Sequence, residues 1–181
     1  MMIADLMNQA GYPKGVFNVV YGDKDVVGEI CDHADIKAVA FVGSTKIARL
    51  VYQRANQTDK RALCLGGAKN HLILVPDADE DVAVPGIVDS FTGCAGQRCM
   101  AASLMVAVGD VGHIIEKIKD HAAKMKLGTG MGAIIDKASY TRILEGIAAA
   151  ERDGAKIILD GRKSTPPKGY EGGYWIGPTI I

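Results

Sequence analysis

AVAFVG, residues 38 to 43, is an almost wholly apolar run that passes straight into STKIARLVYQRAN. A strand with no polar alternation is one buried on both faces, as in a parallel sheet. The segment that follows has the period of an amphipathic helix, with Ser44 at its N-cap position. This pair limits the chain to folds built on strand–helix units, and the rest of the sequence extends the pattern. Ile3, Leu6, Met7 and Ala10 fall at helical spacing before Gly11 and Pro13, which predicts a short helix over 3–10. VFNVVYG (16–22) reads as a strand ended by glycine and Asp25–Cys31 as a helix. ALCLGG, HLILV and SLMVAVG (103–109) are further strands, and Asp79–Phe91 a further helix. Val111, Ile114, Ile115, Ile118, Ala122 and Met125 form one helical stripe, and Tyr140, Ile143, Leu144, Ile147 and Ala148 another. KIILDG closes the pattern, RKSTPPKGYEGG is a polar loop, and the terminal GPTII is strand-like with nothing to pair or cover it. The fold class expected is α/β, an open sheet with helices on its faces.

With 181 residues, 48% of them apolar, the chain can build a core of its own. Lysine plus arginine equal aspartate plus glutamate at 21 each, so the cationic excess of a nucleic-acid or anionic-membrane protein is missing. MMIADLMNQAGYPKG has no cationic leader and is interrupted by Asp5, so neither a signal peptide nor a membrane span is expected. A cytoplasmic or organelle-matrix chain follows, and both ends read as cut from something longer. The cysteines at 31, 64, 94 and 99 form no CxxC pair, and the histidines lack HExxH spacing. No metal is expected, and the thiols should be reduced.

Three glycine-containing stretches are candidates for ligand contact. FVGSTK (41–46) sets free backbone N–H groups and a helix dipole at a strand end, where Ser44 either meets a phosphate or simply caps the helix. GTGMGA (128–133) satisfies a dinucleotide spacing but follows a helix instead of a strand, so it reads as a flexible connection. LGGAKNH (65–71) allows close backbone approach or a tight turn. The stretch GCAGQRCMAAS (93–103) adds Cys99, with small residues leaving room around it and Arg98 beside it to favour thiolate. Cys99 is either a nucleophile or a small buried hydrophobe.

AGYPKGVFNVVYG, FVGSTKIA, GGAKNH, AGQRCMA and GYWIGPTI, in that order, resemble the aldehyde dehydrogenase superfamily over nearly the whole chain. GAKNH followed by AGQRCMA is most similar to the coenzyme A-acylating methylmalonate semialdehyde branch. The resemblance implies the end of a Rossmann-type cofactor domain over 1–62 and most of an α/β catalytic domain over 63–181. It implies a thiohemiacetal on Cys99 that gives hydride to NAD and becomes a thioester, with the Cys99 N–H as an oxyanion donor and Ser44 on the cofactor pyrophosphate. Arg98 would hold the carboxylate of a small semialdehyde or remain structural, and Cys94 would be a small packing residue. Hydrolytic members carry a glutamate where Leu65 falls, beside Cys64, so release by coenzyme A as co-substrate is implied. Several loop residues usual in the family are absent after KMKLGTG. The cofactor-ribose and nicotinamide-side elements and the oligomerisation arm of the homo-oligomeric family are also absent. The alternative is a catalytically incomplete fragment that serves as a structural or interaction unit.

Overall fold

The computed structural model describes residues 1–181. The chain divides into two compact units, Met1–Gly67 and Ala68–Ile181. In the first, α1 (Met2–Gln9) and α2 (Lys24–Asp32) precede β1 (Ala38–Val42), α3 (Thr45–Gln57) and β2 (Arg61–Leu65). β1 and β2 form a two-stranded parallel sheet, with Ala38 opposite Arg61 and Val42 opposite Leu65. Val39, Phe41, Ala62 and Cys64 turn toward α2 and α3 and pack with Cys31, Val51 and Ala55. Asp23 starts α2 by accepting the Asp25 N–H, a side-chain cap of the usual kind.

The second unit carries β3 (Asn70–Leu74), α4 (Glu80–Thr92), β4 (Ala102–Ala107), α5 (Gly112–Ala123) and α6 (Lys137–Arg152). β3 and β4 are parallel, and the register shifts between Asn70 and His71, which face Ala102 and Leu104. Asp79 and Asp136 cap α4 and α6 by accepting the Asp81 and Ser139 N–H groups. Leu74, Val84, Ile87, Val88, Val111, Ile114, Ile118 and Ala122 make the core. The helical stripe read from Val111 to Met125 supplies four of these buried residues, because a 3.6 period stacks them on one face.

Several local expectations are corrected. The sheet is not one but two separate pairs. Residues 16–22 form no strand: β-branched residues favour extension, but 17–22 make no backbone hydrogen bonds, and a strand exists only through a partner. β1 is not buried on both faces, since α2 and α3 cover one side and leave Ala38, Ala40 and Val42 exposed. KIILDG forms no full strand; Leu159 makes a single antiparallel bridge to Ile180, which also gives the terminal GPTII a partner. Ile176, just before it, is buried. GTGMGA is an ordered turn, where Gly128 donates to the Met131 carbonyl, Gly130 to that of Lys126, and Met131 is buried.

Candidate active site

In the first unit, Ser44 sits between β1 and α3 with extended backbone angles and its side chain exposed. Its carbonyl accepts the Ala48 N–H, but its hydroxyl makes no capping bond. The plain cap weighed from sequence is therefore not what the side chain does. The N–H groups of Thr45, Lys46 and Ile47 find no acceptor in the chain. Four polar groups thus stand open at the positive end of a 13-residue helix.

The loop after β2 closes on the same junction. Gly43 donates to the Leu65 carbonyl at 3.1 Å, and Gly67 N–H donates to Thr45 Oγ1 at 3.0 Å. A side chain at Gly66 would press on Thr45 Oγ1 and Cα at 2.8 and 3.0 Å, so the glycine there permits this close approach. FVGSTK and LGG, separated by 18 residues in sequence, thus meet at the carboxyl ends of adjacent parallel strands, where open α/β sheets place ligands. A nucleotide pyrophosphate fits this donor set.

Cys99 belongs to the second unit and lies exposed on the turn that leads from α4 to β4. No helix follows it, so the dipole available there is that of a turn closed by Ala101 N–H on the Arg98 carbonyl. Among residues 98–101 only Ala101 donates a backbone bond, which leaves the Cys99 N–H free. α4 ends at Thr92, whose buried hydroxyl donates to the Val88 carbonyl at 2.7 Å. Cys94 and Ala95 then take φ of 51° and 54°, and Gly96 follows at 72°. Left-handed backbone at two residues that carry a Cβ is costly. Cys94 is exposed, which corrects its expected packing role.

Three side chains hold this loop. Asn70 Nδ2 donates to the carbonyls of Cys99 and Ala101, at 2.8 and 3.0 Å. Gln97 Nε2 donates to the carbonyls of Cys94 and Ala133, at 2.8 and 3.1 Å. Gln97 Oε1 in turn accepts the Ile135 N–H at 2.9 Å. Arg98 Nη2 donates to the Asp89 carbonyl at 2.7 Å, and its guanidinium occupies the space a side chain at Gly93 would need. Arg98 thus neutralises the C-terminal end of α4 while its remaining donors face solvent. Cys99, Arg98 and Ser44 stand out in the sequence by residue type and context, whereas the roles of Asn70 and Gln97 do not. Their motifs GAKNH and AGQRC were in view, but their partners lie 29 and 36 residues away.

A family model described as the aldehyde dehydrogenase family matches residues 1–181. The chain is 43% identical to malonate-semialdehyde dehydrogenase 3 of Geobacillus kaustophilus over 186 residues, which cover 99% of this chain and 38% of that protein. It is 44% identical over 187 residues to a mitochondrial Drosophila melanogaster protein assigned as an acylating methylmalonate-semialdehyde/malonate-semialdehyde dehydrogenase. That match covers all of this chain and 36% of that one. A Sinorhizobium meliloti chain assigned as a methylmalonate-semialdehyde dehydrogenase, solved with NAD, superimposes with a TM-score of 0.90 at 43% identity. It is covered to 38%, and this chain to 98%. The chain therefore spans somewhat over a third of the length of the relatives it matches.

Proposed function

The chain belongs to the aldehyde dehydrogenase family, and on that premise we propose that its Cys99 thiol carries an NAD-dependent, coenzyme A-acylating oxidation of malonate or methylmalonate semialdehyde. The observation that carries this reading is an exposed thiol on a turn fastened by Asn70, with the backbone N–H of the same residue unpaired. The Cys99 sulfur adds to the aldehyde carbonyl, a sulfur–carbon bond forms, and the carbonyl oxygen ends with a proton. The free N–H of Cys99 donates to that oxygen while its charge develops. Arg98 presents its open guanidinium edge to the substrate carboxylate, which the planar fork matches bidentately.

Ser44 and the N–H groups of Thr45, Lys46 and Ile47 bind the cofactor pyrophosphate. NAD, when bound, supplies the oxidising equivalent that turns the thiohemiacetal into a thioester. Leu65 stands where hydrolytic members carry a glutamate, and an alkyl side chain cannot activate water. The thiol of coenzyme A therefore takes the acyl group, one sulfur replacing another, and Cys99 leaves as the free thiol. In this reading residues 1–62 close a cofactor-binding domain and 63–181 form most of a catalytic one.

The test follows NADH with malonate semialdehyde, with and without coenzyme A, in this chain and in Cys99→Ala. Turnover that needs coenzyme A and vanishes in the variant is the expected result. Turnover without coenzyme A would point to hydrolysis. NADH formed in neither chain favours the second reading, a unit that keeps the thiol loop without turnover.

A further inference from the structure

The Cys99 turn has almost no backbone bonding of its own, yet its carbonyl is held at 2.8 Å by a side chain from another strand. That side chain, Asn70, is itself fixed. Its backbone sits at the register shift between β3 and β4, opposite Ala102, and its carbonyl accepts the Ser103 hydroxyl at 3.3 Å. The amide nitrogen has two hydrogens, and its two acceptors are the carbonyls on either side of Met100. A carboxylate of the same shape would face those carbonyls with oxygen and repel both, while a hydroxyl could satisfy only one.

We propose that Asn70 is a positioning residue for Cys99: through the Cys99 and Ala101 carbonyls it sets the sulfur and the adjoining N–H in the relation that addition to a carbonyl needs. The inference rests on the reading of Cys99 as the aldehyde-reactive thiol. Fixing the Cys99 and Ala101 carbonyls fixes the peptide plane that follows each of them, and the first of these planes holds the Cys99 Cα from which both the thiol and the N–H extend. Asn70 touches neither sulfur nor substrate. Its contribution lies in the geometry of the adduct, not in the exposure of the thiol.

The experiment separates those two effects. Thiol addition to an aldehyde moves the sulfhydryl hydrogen to the carbonyl oxygen and needs no oxidant, so it can be read without cofactor. Malonate semialdehyde is titrated against iodoacetamide labelling of Cys99, read by mass spectrometry with Cys94 of the same loop as internal reference. In the unsubstituted chain the aldehyde slows Cys99 labelling. In Asn70→Ala and Asn70→Asp the half-protecting concentration rises at least about fivefold, while the labelling rate without aldehyde changes less than about threefold. Asn70→Ser, which keeps one donor, falls between them and serves as the measure if the other variants fail to fold by Trp175 fluorescence. A half-protecting concentration within about twofold of the unsubstituted chain, in a folded variant, overturns the role of Asn70. No protection in the unsubstituted chain overturns the aldehyde reading and the positioning role with it.

Discussion

Residues 68–181 bury thirteen apolar side chains, eight of them in one cluster drawn from β3, α4, α5 and the Val111 that precedes it, whereas residues 1–67 bury five, four of them in a cluster that includes the thiol of Cys31. The exposed surfaces differ in the opposite sense. Of 27 large apolar side chains left in solvent, 17 belong to the first 67 residues. The sheet of the smaller unit is covered on one face only, and Val42, Leu63 and Leu65 stand exposed on the other. Parallel pairs are normally covered on both faces. One unit thus has a core that can sustain cooperative unfolding, and the other has secondary structure in excess of the burial that supports it.

The largest effects should appear where the core is deepest. Ile114→Ala empties a site with no solvent exposure and should destabilise 68–181 by about 3 kcal/mol in denaturant titrations. Trp175, the only tryptophan, lies in that unit and reports the change. Val51→Ala should cost 1–67 about 2 kcal/mol and leave the Trp175 transition where it was. A shift of both transitions by either substitution would show that the two units unfold as one.

Labelling sharpens the same contrast. Cys31 is 1% exposed and burial pushes its thiol pKa up, whereas Cys94 and Cys99 are open to solvent. Iodoacetamide should modify Cys31 at least about tenfold more slowly, through opening of 1–67. Val51→Ala should speed that reaction and Ile114→Ala should not.

A smaller effect is expected from pH. Hydrogen bonds from the Arg162 side chain and backbone hold the Asp160 carboxyl below its usual 3.8, at about 2. A depressed folded pKa stabilises above the unfolded value and is lost as pH falls through the folded one, so this contribution to 68–181 disappears between about pH 4 and pH 2. Asp160→Asn should flatten that limb of the stability curve. The smallest effect belongs to the Arg54–Asp32 pair of the first unit, bonded at 2.8 and 2.5 Å but half exposed at both partners. Arg54→Gln should leave its thermal midpoint nearly unchanged and remove only a salt-sensitive increment.

The elements visible in the sequence are those whose pattern is complete within the segment itself. The 3.6-residue stripe of α5 and the apolar run of β1 declare themselves within a dozen residues. Residues 16–22 carry the same β-branched composition but lack a partner, and no property of the segment itself reports that. Leu159 and Ile180 found each other across 21 positions through a single bridge, too brief to leave a pattern. Among the candidate residues, Cys99, Arg98 and Ser44 can be named from residue type and context alone, and the family that their motifs resemble is the one whose model matches the chain. Asn70 and Gln97 cannot, because an amide acts through what it faces, and long-range hydrogen bonds have no period. The left-handed angles of Cys94 and Ala95 escaped for a related reason, since side chains with a Cβ are poor advertisements for that backbone.

Gly161 and Gly177 cross with their backbones in contact. Gly177 N–H donates to the Gly161 carbonyl at 2.9 Å, and a side chain on Gly161 would collide with Gly177, while one on Gly177 would collide with the Ser164 hydroxyl. At Gly161 size cannot be traded for compensation elsewhere, because what a side chain would strike is main chain, whereas the Ser164 hydroxyl that crowds Gly177 makes no hydrogen bond and can rotate away. A random library selected only for folded protein should therefore return glycine at 161 almost without exception and small residues at 177, while the exposed residues 168–173 vary most.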